Sequence, residues 1–128
     1  MNGIDFLADT NAVLYYLSGN GCMKPFITSR FAFSIISEME LLSYSKITDE
    51  EEEKISGFLK SSLSILITNE IKNRTIQLRR KYNIKLPDAI IAASAIESDL
   101  ILMTADTGFR KIGELKLEIL YPEISFQK

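Results

Sequence analysis

Short apolar runs alternate with segments of helical period from one end of the chain to the other. IDFLA at 4–8, FAFSI at 31–35, SILI at 64–67, LILMT at 100–104 and LEILY at 117–121 read as buried strands. Between them the spacing predicts helices. One follows the first strand through Val13, Leu14 and Leu17, and others cover 37–46 and 49–61. A further helix runs from Asn69, a plausible cap, to Asn83, on the apolar line Ile71, Thr75, Leu78 and Tyr82. Pro87 fits the first position of the next helix, whose stripe is Ala89, Ile90, Ala93 and Ile96. The stretch 23–29 reads as a short helix or a loop, and a short helical turn follows the fourth strand. Continuously apolar strands separated by helices indicate a parallel sheet covered on both faces. The expected class is α/β: a three-layer α/β/α domain over residues 1–128 with a central parallel sheet of about five strands.

That architecture gives four acids a common address. Asp9 lies at the exit of the first strand and Glu40 in the first turn after the second. Asp88 begins the helix that feeds the fourth strand, and Asp106 lies just past that strand's exit. In right-handed βαβ units a strand's carboxyl end and the next helix's amino end share one edge, where open α/β sheets place their ligands.

Each acid also has a purely structural role open to it. Asp9 could cap the helix starting near Thr10, and Ser37 with Glu40 matches an S-x-x-E capping box. Asp88 suits a helix dipole, and Asp106 with Thr107 and Gly108 suits an Asx turn. Convergence weakens these readings, because two carboxylates about 4 Å apart at an effective dielectric near 20 repel by roughly 4 kcal/mol. A cation or raised pKa values must offset that repulsion. The acid run at 49–53 needs no such account: Thr48 and Glu51 form a capping box, and first-turn acids complement the dipole.

Composition narrows the chemistry. There is no histidine and one cysteine, Cys22, so His/Cys zinc sites, Ser-His-Asp triads, Cys-His dyads and disulfides are all excluded within the chain. A metal here is held by oxygen, which points to Mg2+ or Mn2+. Such ions lower the pKa of a bound water and offset charge on a scissile phosphate. Asn11 and Thr104 are uncharged neighbours able to position a water or a phosphate oxygen. No apolar run approaches a membrane span and no basic segment precedes the first apolar run, so a cytoplasmic protein is expected.

At this point the residues resemble a family. D-T-N near the amino end, E-L after strand two, D-A-x-I-A-A-x-A on a late helix and T-x-D-x-x-F after strand four, in that order, resemble the PIN-domain nucleases. Within them the chain is most similar to the VapC-type ribonuclease toxins of type II toxin–antitoxin modules. The resemblance carries the acidic quartet onto Asp9, Glu40, Asp88 and Asp106. It makes Asp9 and Asp88 the leading metal ligands, completed by Asp106 and Glu40 directly or through water. It further implies cleavage of single-stranded RNA, a homodimer and inhibition by a cognate antitoxin.

The net charge of −2 departs from what an RNA-binding protein leads one to expect, so local cations must supply affinity. Lys72, Arg74, Arg79, Arg80 and Lys81 share one helix, while Arg110 and Lys111 lie just beyond Asp106. An ordinary solvated face explains the helix group equally simply. Phe26, Phe31, Phe33 and Phe109 are able to stack bases, with core packing the simpler role. Tyr15, Tyr16, Met23 and Phe26 suit either a dimer contact or the core. Three other readings stay open: a PIN nuclease of RNA processing or DNA cleavage without an antitoxin, a catalytically silent PIN-like module, and, more remotely, a receiver domain. The last wants an acid at the exit of strand three, where this chain has ILITN.

Overall fold

The computed structural model describes residues 3–124. Five parallel strands, β1 (Phe6–Ala8), β2 (Phe31–Ser34), β3 (Leu63–Ile65), β4 (Ile101–Thr104) and β5 (Leu117–Ile119), lie in the order β3-β2-β1-β4-β5. The helices are α1 (Thr10–Leu17), α2 (Ile35–Leu42), α3 (Asp49–Ser61), α4 (Asn69–Lys81) and α5 (Leu86–Glu97). Two 3-10 turns, Gly21–Phe26 and Thr107–Lys111, complete the chain, and the first resolves the stretch expected as helix or loop.

Successive strand residues feed opposite faces, as the pleat demands. Leu7, Ala32 and Leu102 pack with Ile71 and Leu78 of α4 and the small residues of α5. Ala8, Phe31, Phe33 and Met103 pack with Val13 of α1 and Ile55 and Phe58 of α3. The sheet is therefore the middle of three layers. On the α1/α3 side the contacts are aromatic, with Tyr16 5.4 Å from Phe31 and 5.6 Å from Phe58. Phe31, Phe33 and Phe109 are buried, and Phe26 meets Phe6 edge-on at 5.3 Å, so these rings serve packing. Met23 is buried, and Tyr15, Tyr16 and Phe26 pack on the same cluster, which assigns all four to this chain's own core.

Local chemistry explains most boundaries, including three that differ from expectation. Thr48 and Glu51 cap α3 reciprocally, as the sequence indicates. The second strand stops at Ser34, whose hydroxyl accepts from the Ile36 amide, so α2 begins at Ile35 rather than 37. Ser37 is consequently inside the helix and fully buried, and the S-x-x-E capping box does not form. Thr68, not Asn69, caps α4 by accepting from Ile71. In α5 Pro87 is the second helical residue, where its missing N–H costs nothing.

Candidate active site

The strand order reverses beside β1: the chain moves outward through β2 and β3, then returns through α4 and α5 to place β4 on β1's other side. The crevice at the carboxyl ends of β1 and β4 is the place where such sheets bind ligands. Asp9 stands at its centre. Its amide still pairs with the Met103 carbonyl at 3.1 Å, continuing the β1–β4 ladder by one residue. Its side chain then caps α1, with Oδ1 accepting from the Ala12 amide at 2.8 Å. The Thr104 hydroxyl donates to Oδ2.

Thr104 also joins two acids. It is fully buried at the end of β4, and its Oγ1 accepts from the Asp106 amide at 3.0 Å. The Asp106 carboxylate folds back on its own turn and accepts from the Gly108 amide at 2.8 Å. A Cβ at Gly108 would sit 2.9 Å from Asp106 Oδ1, so glycine lets this carboxylate lie flat over the turn.

The Thr10 hydroxyl, to which the sequence reading gave no role, holds Glu40. Thr10 Oγ1 donates to Glu40 Oε1 at 2.6 Å and lies 2.9 Å from the buried Ser37 Oγ. The middle residue of D-T-N thus ties α1 to α2. Glu40 itself is exposed. Asp88 occupies the first turn of α5 and is half-buried.

Electrostatics confirm that the acids share a field. Burial pushes the Asp9 carboxyl above its ordinary range, with Asp106 and Asp88 adding repulsion, against the hydrogen bonds from Thr104 and Ala12. Burial also raises Asp88, followed by repulsion from Asp106 and Glu40, while Lys85 and Lys111 draw it back. Asp106 and Asp88 are thus close enough to oppose the ionisation of Asp9, and Asp106 and Glu40 that of Asp88. Yet among the described residues no three acids close around a single point as the ligands of one ion. The donor set suits a hard cation in type, and the charge field calls for one. Side-chain rotation of Asp106 and Glu40, both exposed, would be needed to complete a shell.

The remaining candidates divide. Lys111 lies by Asp88 and donates to the Asn83 carbonyl. Arg110 reaches instead to the Tyr121 hydroxyl at 3.4 Å. Asn11 is exposed at the second position of α1. Lys85, which the sequence reading did not single out, lines a groove of about 250 Å³ with Asp88, Asp106 and Lys111.

Comparison with known proteins agrees with this architecture. Residues 6–115 match the family described as PIN domain. The chain belongs to the PIN-domain family. A curated relative from Archaeoglobus fulgidus, described only as an uncharacterized protein, is 44% identical over 59 residues, covering 46% of this chain and 90% of the relative. The PIN domain superposes on a chain of a toxin–antitoxin complex from Klebsiella pneumoniae with a TM-score of 0.75 and 31% identity, covering 87% of this chain and 95% of that one. It shares the fold of VapBC2 from Rickettsia felis bound to a promoter DNA fragment, with a TM-score of 0.79 at 23% identity over 92% of this chain and 100% of that one. The resemblance to VapC-type PIN nucleases read from the motifs therefore holds, as does the five-stranded parallel fold. Among the described residues no helix is long and apolar enough to cross a membrane.

Proposed function

We propose that this PIN domain, one domain over the whole chain, is a metal-dependent endoribonuclease and the toxin of a type II toxin–antitoxin module. The observation that carries the reading is Asp9, buried in the sheet's switch crevice and held on both oxygens by the Thr104 hydroxyl and the Ala12 amide, with Asp106 and Asp88 near enough to repel it. Mg2+ or Mn2+ held by Asp9 and Asp88, with Asp106 and Glu40 completing the site, would supply Lewis acidity and an activated water for attack on phosphorus. The chain's own groups do the positioning. Thr104 and the Ala12 amide fix both oxygens of Asp9, and Thr10 fixes Glu40. Asn11 at the crevice mouth is free to orient a water or a phosphate oxygen, and Lys111 beside Asp88 is placed to meet a phosphate. Arg110 joins from the exposed turn after Asp106 once the substrate draws it off Tyr121.

The likeness to the Klebsiella chain, a component of a toxin–antitoxin complex, supports a cognate antitoxin as partner, and a cytoplasmic site of action is part of the same proposal. A homodimer is part of the same proposal, and sedimentation of the isolated chain tests it. The decisive assay presents single-stranded RNA and single-stranded DNA of one sequence to the wild type and to Asp9→Asn, with Mg2+, Mn2+ or EDTA. Metal-dependent cutting of RNA alone, lost in the variant, supports the reading. Cutting of DNA with RNA intact overturns the substrate, and cleavage by neither metal overturns the enzyme.

A further inference from the structure

The cations of α4 do not form one uniform face. Arg74 Nε lies 2.8 Å from Glu97, and Lys81 lies 3.6 Å from Glu114, so both are compensated. Among the described residues Arg79, Arg80, Lys85 and Lys111 pair with no carboxylate. Two of these instead donate to backbone carbonyls of the α4–α5 connection: Lys111 to Asn83, and Arg79 to Ile84 at 3.4 Å. A carbonyl orients a cation without cancelling its charge.

The unpaired cations also line two neighbouring hollows that share a wall and together make one depression. The groove beside Asp88 and Asp106 is walled by Lys85 and Lys111 and runs up to Asn83 and Ile84. The same Asn83 and Ile84 border a second hollow, of about 320 Å³, that holds Arg79 and Arg80. Its other lining residues include Ile76 and Leu86, which are 44% and 48% exposed. The connection beneath is anchored: the Tyr82 hydroxyl donates to Glu114 at 2.6 Å and accepts from the Gly113 amide at 3.3 Å. The opposite flank is its electrostatic reverse, since α3 opens with Asp49, Glu50, Glu51 and Glu52.

We propose that this depression is the track for one arm of a single-stranded RNA, leaving the acid site over the α4–α5 connection toward the end of α4. Lys111 and Lys85 meet the first phosphates beyond the acids, and Arg79 and Arg80 meet the next. Ile76 and Leu86 offer apolar floor to sugar or base. The inference rests on the ribonuclease reading above and adds the direction in which the substrate runs. It also separates working cations from structural ones: Arg79 and Arg80 bind the strand, while Arg74 ties α4 to α5 and Lys81 ties α4 to Glu114 in the turn before β5.

The test is binding of a labelled single-stranded RNA of about a dozen nucleotides across a salt series, in EDTA and in an Asp9→Asn parent so that nothing is cut. Arg79→Gln/Arg80→Gln is compared with Lys46→Gln/Lys60→Gln, which removes the same charge from the other flank. Each phosphate contact on a single strand contributes about −0.7 to the slope of log K against log salt. The arginine variant should lose roughly 1.4 from the magnitude of that slope and more than about tenfold in affinity near 0.1 M salt, with the control within about twofold. Arg79→Lys/Arg80→Lys should keep the slope, which separates charge from any folding defect. A parent that binds RNA while both Gln variants bind it equally well overturns the track alone. A parent that binds no RNA overturns the ribonuclease reading itself. A glutamate-rich peptide held as tightly, through the same arginines, would reassign the groove to an acidic protein segment.

Discussion

Two helices of this domain begin with an acid that accepts hydrogen bonds from its own backbone, and the two acids sit in opposite fields. At the start of α3 Glu51 is solvent-exposed and accepts from the Thr48 amide, a bond that holds its carboxyl below the ordinary range. At the start of α1 Asp9 accepts from an amide in the same manner, yet burial and its acidic neighbours lift it above that range. A capping bond stabilises the carboxylate in both places. What differs is water on one side and, on the other, burial beside Asp106 and Asp88. The cap is the local role of Asp9; the raised pKa marks what the fold asks of it beyond that role.

The contrast is sharpest under substitution. Asp9→Asn should lower RNA cleavage by at least on the order of 10²-fold, with the cap largely kept and the melting temperature unchanged or higher as repulsion falls. Glu51→Gln should leave the cleavage rate where it was. Asp88→Asn should match Asp9→Asn in rate, since burial and Asp106 raise its carboxyl as they raise that of Asp9. Equal losses from Glu51→Gln and Asp9→Asn, measured in the same cleavage assay, would erase the distinction.

Removing a support rather than an acid should cost less. Thr104→Val takes the hydroxyl from both Asp9 and the Asp106 amide, and should reduce activity about 10–100-fold, as losses of partners to metal ligands do. Gly108→Ala forces the Asp106 carboxylate off its turn and should weaken metal affinity with the fold intact, read as a higher Mg2+ requirement. On the α3 side Thr48→Ala should cost about 1 kcal/mol of stability by chemical denaturation and nothing in rate.

The pH dependence of stability gives the smallest signal and separates the two acids by sign. A carboxyl raised in the folded state binds its proton more tightly there than in the unfolded chain. Asp9 and Asp88 therefore favour folding below their ordinary value of 3.8 and oppose it progressively as pH rises through their folded values. Glu51, lowered on folding, contributes in the other direction: its stabilisation is present above 4.5 and is lost as pH falls through its folded value. In EDTA, Asp9→Asn should flatten the decline on the alkaline side, and Glu51→Gln should flatten the decline on the acid side.

Much of this was legible in the sequence because it is local or periodic. Four of the five strands lie within the expected apolar runs, β3 begins one residue before its run, and 49–61 is helical to the residue, since the Thr48–Glu51 box and the apolar spacing agree. The places of Asp9, Asp88 and Asp106 followed from strand-and-helix order, whereas Glu40, expected in the first turn after strand two, is the sixth residue of α2. What stayed hidden depends on partners far along the chain. Thr104 meets Asp9 across 95 positions, and Thr10 meets Glu40 across 30. Nothing beside Thr10 announces that contact, although its place between Asp9 and Asn11 was a signal to weigh. Ser37 misled because S-x-x-E fits a helix start, while Ser34, one turn earlier, took the cap and left Ser37 to be buried. The cations of α4 read as one face, and only their partners divide them.

The central claim is that the acids at the β1–β4 crevice are an ion site. It is tested most directly by the melting temperature of the wild type and of an Asp9→Asn/Asp88→Asn variant, titrated with Mg2+ from an EDTA-treated start. An ion that binds the folded chain alone raises stability by RT ln(1 + [Mg2+]/Kd), about 2.7 kcal/mol at a hundredfold excess over Kd. The account predicts a saturating rise in the wild type and none in the variant, whose metal-free melting temperature starts at or above the wild type's. The same rise in both proteins would contradict it.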